Sequence, residues 1–222
     1  MRCRFQLCVR ACDTDTHGLR SIYNIVFCLG FVSVTGESIG ESRCQSFFPI
    51  DVKWQEAAAR IFGRAQPQVC HYATVDKPIK MPHRRPKRTK NPVGDGACFP
   101  RSISLAVFGH QRHHQKIRDQ LVDFILKGPL TFETAVRDEA FYLYMKIMRE
   151  RTEYMTTFEV EALSYMLQTP IYSCVLEQRT DGSDGRFFWQ RSPHESSPQQ
   201  VVHDRGIYIQ NSHDHFQLVT EF

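Results

Sequence analysis

The hydrophobic period of the chain changes at Pro170, and that change fixes the class of fold. Before it, apolar residues recur at helical spacing: Ile103 and Val107, then Ile117, Leu121, Phe124 and Ile125, then Val136, Ala140, Tyr144 and Ile147, then Val160, Leu163 and Leu167. Thr156 and Glu159 stand as a capping box ahead of the last set, and Gly128-Pro129 stops the second. After Pro170 the pattern is strand-like. Residues 171–176 and 186–190 flank Thr180-Asp181-Gly182-Ser183-Asp184-Gly185, a hairpin signal, and two further short strands follow, around Ile207–Ile209 and Phe216–Val219. Helices early and paired strands late predict an α+β domain, its helices packed around a small, mainly antiparallel sheet.

Chemistry concentrates where the first of those helices begins. In Gly94-Asp95-Gly96-Ala97-Cys98-Phe99-Pro100-Arg101-Ser102, two glycines flank an aspartate and lead straight into an apolar helical run. Glycine allows the tight turn that a Cβ resists. A thiol in the first turn of a helix sits at the positive end of the macrodipole, which favours thiolate, and the orphan N–H groups there can hold an oxyanion. A cysteine in an apolar run is also an ordinary core residue. Only a base brought up from elsewhere in the chain decides between a nucleophile and a buried thiol.

Ten histidines are available, so position must select one. His215 opens the last strand, where a rigid element can aim its ring. His213 lies in the turn before it, and His194 and His203 lie in loop-like sequence rich in Ser, Pro and Gln. Taken together, Gly94-Asp95-Gly96-Ala97-Cys98-Phe99 with Arg101-Ser102, the Thr156–Leu163 segment running into Pro170-Ile171-Tyr172, and His215-Phe216 resemble the ovarian-tumour (OTU) family of cysteine proteases. The resemblance covers about residues 90–222, and its three separated blocks stand in the family's order.

It implies a papain-like OTU fold and a deubiquitinating cysteine protease that hydrolyses isopeptide bonds to ubiquitin or a ubiquitin-like modifier. Cys98 would be the nucleophile and His215 the base and then the acid. Asp95 would shape the loop that offers N–H groups to the oxyanion, with the Cys98 N–H as the foremost donor. The family often places Asp or Asn two residues after the histidine to hold the imidazole; here that position is Gln217, neutral and one methylene longer. Asp214 and Asn211 are the other candidates to orient the ring. Pro100 replaces a residue usually aromatic, and proline suits an early helix position. The weakly polarising Gln217 keeps a second reading open, a catalytically inactive OTU-like module that binds ubiquitin.

The rest of the chain narrows the partners. At 222 residues with 41% hydrophobic and 23% charged residues, it holds one good core and some additional sequence. A net charge of +4 demands no nucleic acid, although five Arg/Lys fall in the eight positions from His83 to Lys90. That run reads as a solvated linker; a nuclear-import signal or a phosphate-binding arm are the sharper readings. The eight cysteines show no framework of spacings, and Cys3, Cys8 and Cys12 lack the paired spacing of a zinc site. No cofactor or metal is expected, because a thiolate–imidazole couple performs acyl transfer unaided. Residues 22–34 are apolar but too short for a membrane span. The organisation expected is an N-terminal extension over 1–45 to which no order is assigned, a helix plus basic linker over 46–90, and a catalytic domain over 91–222. The helix is placed at 51–62 with Val52, Ala59 and Phe62 inward. Expected partners are ubiquitin or polyubiquitin, with no membrane and no nucleic acid, for a monomer of the cytoplasm or, through Arg84–Lys90, the nucleus.

Overall fold

A computed structural model of the chain describes residues 46–64, 72, 75–80, 85–128, 139–150, 152–177, 186–194, 197, 201, 203–212 and 215–222. The compact unit that begins at Arg43 runs to Phe222. Its described elements are β1 (Ser46–Phe47), α1 (Val52–Ile61), β2 (Ile79–Lys80), β3 (Arg88–Lys90), α2 (Cys98–Phe108), α3 (His114–Lys127), α4 (Glu139–Met148), α5 (Thr157–Leu167), β4 (Ile171–Glu177), β5 (Arg186–Ser192), β6 (Ile207–Ser212) and β7 (His215–Glu221). The fold is α+β, with the change of period at Pro170 falling between α5 and β4.

Five strands form one sheet in the order β3-β7-β6-β4-β5. Every neighbouring pair is antiparallel except β4 and β6, which run parallel with Ile171 beside Ile207. The parallel pair arises because the chain, after β5, crosses to the free edge of β4 rather than turning back again. Strands β1 and β2 make a separate two-stranded sheet.

Helix α2 is the centre of the packing. All its residues except Arg101 are buried, as a helix apolar all round must be. It lies against β7, with α1 and α3 also packed on it. Local chemistry sets the helix ends. Asp51 caps α1 by accepting from the Trp54 N–H at 2.8 Å. The capping box at Thr156 and Glu159 is formed, with the Thr156 N–H donating to Glu159 Oε2 at 2.7 Å. Gly109, at φ 74°, turns the chain out of α2.

Three expectations change. In α1 the inward face is Trp54, Gln55, Ala58 and Ala59, whereas Val52 is exposed. The Trp54 indole N–H donates to Thr169 Oγ1 at 2.7 Å, and this anchor rotates the helix away from a Val52 face. In α4 the buried residues are Phe141, Met145 and Met148, while Tyr144 and Ile147 are only partly buried. The apolar surface of α4 is broad, so spacing alone does not select its seam. The basic run is not all linker either: Arg88–Lys90 is the edge strand β3, with Lys87 and Arg88 both paired to Glu221 on β7. The expected helix start around 133–138, the hairpin turn at 180–185, the 22–34 segment and His83-Arg84 lie outside the described residues. No helix among the described residues is long and apolar enough to cross a membrane.

Candidate active site

Gly96 adopts φ +80°, a conformation that favours glycine, and Ala97 then serves as the N-cap residue with no side-chain cap of its own. Cys98 is therefore the first residue of α2 and Pro100 the third. A first-turn N–H has no intrahelical acceptor, so the proline breaks no helical hydrogen bond. The Arg101 N–H donates to the Ala97 carbonyl at 2.9 Å and closes the first turn.

Asp95 shapes this loop. Its Oδ1 accepts from the Ala97 N–H at 3.2 Å, and its carboxylate accepts from Arg101 Nε at 3.0 Å and Nη2 at 2.5 Å. The Arg101 guanidinium, ahead of the Ala97 N–H, pulls the Asp95 carboxyl down to about 2 against the cost of partial burial. The loop is thus folded around a carboxylate that stays ionised under ordinary conditions.

His215 enters from β7. Phe99 and Phe216, each next in sequence to a candidate residue, pack with ring centroids 5.3 Å apart. Ser102 Oγ, one turn beyond Cys98, donates to the Phe216 carbonyl at 3.1 Å. These two contacts fix the start of α2 against the start of β7. The His215 ring lies beside the loop: a β-carbon on Gly94 would stand 3.7 Å from its Cε1 and 3.8 Å from its Nδ1. The other ring nitrogen, Nε2, is hydrogen-bonded to Asn91 Oδ1 at 2.5 Å. An amide oxygen only accepts, so this contact selects the tautomer with the proton on Nε2 and leaves Nδ1, the nitrogen nearer Gly94, as the one able to accept a proton.

The expected orienting residues are elsewhere. Gln217 shares the His215 face of β7, but its Oε1 accepts from Thr89 Oγ1 at 2.7 Å, which ties β7 to β3 rather than holding the imidazole. Asn211 pairs with Phe216 across β6 and β7. Its side chain therefore belongs to the face opposite His215. Asp214 and His213 lie outside the described residues, while His194 and His203 are exposed. Asn91 was not legible as a candidate. It follows a three-residue strand that reads as a charged linker, and only the pairing of β3 with β7 brings it to the ring.

Cys98 itself is 1% exposed. The other described cysteine, Cys174, is buried in β4, where desolvation pushes its thiol up to about 12, the mark of an inert core residue. Among the described residues no three His, Cys, Asp or Glu side chains cluster to hold a metal ion.

The family described as OTU-like cysteine protease matches residues 93–216, a span that includes Cys98 and His215 and begins two positions after Asn91. No curated protein matches the chain. Among solved structures, the OTUD1 OTU domain is 18% identical, with 59% of this chain and 83% of that one covered at a TM-score of 0.49. The viral OTU domain protease from Qalyub virus is 14% identical, covering 61% and 84%, with a TM-score of 0.48. An OTU deubiquitinase from Wolbachia pipientis wMel bound to ubiquitin is 16% identical, covering 60% and 95%, with a TM-score of 0.44.

Proposed function

Because the chain belongs to the OTU-like cysteine proteases, we propose that it is a deubiquitinase whose working couple is Cys98 and His215. The observation that carries this reading is the placement of His215, with Nε2 held by Asn91 and the Nδ1 edge of its ring beside Gly94, four residues ahead of Cys98. Asn91 supplies the fixed acceptor that Gln217 does not. Members of the family typically act on ubiquitin conjugates, and the substrate inferred here is an isopeptide bond between the ubiquitin C-terminal glycine and a lysine.

In this mechanism His215 Nδ1 takes the proton of the Cys98 thiol as the sulfur attacks the glycine carbonyl carbon. The carbonyl oxygen becomes an oxyanion, stabilised by the Cys98 N–H at the positive end of α2. As the C–N bond breaks, imidazolium returns the proton to the departing lysine amine, and a thioester remains on Cys98. Water then attacks the thioester carbon and gives its proton to His215. The ubiquitin carboxyl group leaves and gives up its remaining proton to solvent, while the proton held by His215 returns to the cysteine sulfur. Asn91 keeps the imidazole in one tautomer throughout and offsets the charge of the imidazolium. Asp95 contacts none of the reacting atoms in this scheme and acts through the loop.

The slight exposure of Cys98 favours a second reading, a ubiquitin-binding module without turnover. A ubiquitin carrying a C-terminal propargylamide separates the two. The hydrolase reading expects a covalent adduct with the wild type that disappears in Cys98→Ala and drops sharply in His215→Ala. Binding of ubiquitin without an adduct, together with no hydrolysis of a fluorogenic ubiquitin amide, would sink it.

A further inference from the structure

Arg118, on α3, is completely buried and is the largest such side chain among the described residues. Its guanidinium lies on three backbone carbonyls. Nη1 donates to Met148 O at 2.8 Å, and Nη2 donates to Glu153 O at 2.6 Å and Gly96 O at 3.2 Å. Desolvation pulls its affinity for the proton down, with Glu159 the foremost of the carboxylates acting in the opposite sense. A cation sunk among neutral acceptors is an expensive way to fill space, since apolar side chains of similar volume often replace buried ions without loss of stability.

What Arg118 holds is the peptide two bonds ahead of the nucleophile. The Gly96 carbonyl points to Arg118, and the N–H of the same peptide, on Ala97, points to Asp95 Oδ1. In a trans peptide these groups face opposite ways, so Arg118 and Asp95 grip opposite edges of one plane. The next peptide is turned along the α2 axis by the hydrogen bond from the Arg101 N–H to the Ala97 carbonyl, which directs the Cys98 N–H out of the helix N-terminus. Behind the loop, the turn between α4 and α5 leaves no room: a β-carbon on Gly96 would stand 1.7 Å from the Thr152 carbonyl oxygen. Arg118 fastens that turn, through Met148 and Glu153, to the same loop.

We propose that Arg118 is a positioning residue for the oxyanion site: by holding the Gly96 carbonyl inward it fixes the orientation of the Cys98 N–H. The inference rests on the hydrolase reading above. It separates two steps that share the same nucleophile. Capture of an alkyne-terminated ubiquitin forms a thioether through addition of the Cys98 sulfur to a carbon–carbon triple bond, with a proton delivered to the other alkyne carbon and no oxyanion. Hydrolysis of a ubiquitin amide passes through an oxyanion and depends on the donor.

The experiment compares wild type with Arg118→Lys and Arg118→Met for both steps, with thermal unfolding as the control for folding. In a folded variant, kcat for the fluorogenic ubiquitin amide falls roughly ten- to a hundredfold. KM and the rate of propargylamide capture stay within about threefold of wild type, because neither needs the oxyanion donor. An unchanged kcat, or equal losses in kcat and capture, overturns the inference. Should neither variant fold, a crystal structure of the wild type with ubiquitin aldehyde decides. The inference requires the hemithioacetal oxygen on the Cys98 N–H with the Gly96 carbonyl still on Arg118; a Gly96 carbonyl turned away overturns it. A wild type that captures the probe in neither form and hydrolyses nothing overturns the hydrolase reading instead, and this inference with it.

Discussion

Asn91, just past the end of β3, holds Nε2 of His215 through its side-chain oxygen at 2.5 Å, so the residue that steadies this imidazole comes from upstream of Cys98 rather than from the strand that carries the histidine. Asn91→Ala removes the acceptor and frees the ring to adopt the other tautomer, with the proton on the nitrogen that must receive one. The expected outcome is a fall in kcat for a ubiquitin amide of roughly tenfold or more, with KM nearly unchanged. Gln217→Ala, which only releases Thr89, leaves kcat within about threefold. Steady-state kinetics of the two variants checks the assignment, and the reverse ranking refutes it.

The contrast between these residues shows how far the sequence reaches. The face of α3 is legible because the burial of Ile117, Leu121 and Ile125 follows a local period, the helices α2 and α5 are legible as apolar runs buried nearly all round, and Gly94 to Cys98 is legible because a glycine turn entering a helix is local chemistry. His215 is legible as the first residue of an alternating strand. Asn91 is not, because its role depends on β3, and Arg88-Thr89-Lys90 becomes a strand only through pairing with β7 about 130 residues later. The same limit hides Gln217: adjacency to His215 on one face says nothing of Thr89, which takes its amide oxygen. Val52 fails for a different reason. The face of α1 is set by a tertiary hydrogen bond from Trp54 to Thr169, which no helical period encodes.

Asp95 makes the stability of the loop dependent on pH. Its carboxyl is held at about 2, below its unfolded value, chiefly by Arg101. A depressed folded value means that the contribution is complete above about pH 4 and disappears as pH falls toward 2. More than a third of the Asp95 side chain is exposed, so the contribution is also screened by salt. Arg101→Gln should return the Asp95 titration toward the ordinary carboxylate range, read by NMR of its side-chain carbon. An Asp95 midpoint unmoved by that substitution would contradict the assignment of cause.

The two glycines of the loop should behave differently. Gly96→Ala places a β-carbon against the Thr152 backbone at a positive φ, and backbone cannot move aside as a flexible side chain does. The left-handed conformation alone costs on the order of 1–2 kcal/mol for a residue with a Cβ, and the clash adds to it. Gly94→Ala meets only the His215 ring at ordinary contact distance. Thermal or chaotrope unfolding should show Gly96→Ala destabilised by several times more than Gly94→Ala. Equal effects would mean that the turn between α4 and α5 does not press on the Gly94–Cys98 loop.

The link between α2 and β7 is the remaining support of the site, and Phe216 and Ser102 make two of its specific contacts. Phe216 is 5% exposed, and its ring meets Phe99. Phe216→Ala removes a large buried ring and should cost about 3–5 kcal/mol of stability. Ser102→Ala is smaller in volume but leaves the Phe216 carbonyl in a buried site without its donor, a loss of about 1–3 kcal/mol. The two substitutions act on one joint, so their effects should not add. A double-mutant cycle on unfolding free energies should return a coupling of about 0.5 kcal/mol or more. The joint also sets where His215 stands relative to Cys98, so Ser102→Ala, measured where it is fully folded, should lower kcat by more than its stability loss explains. Strict additivity with unchanged kcat would show that α2 and β7 hold their relative position without these two contacts, and that the placement of His215 comes from Asn91 alone.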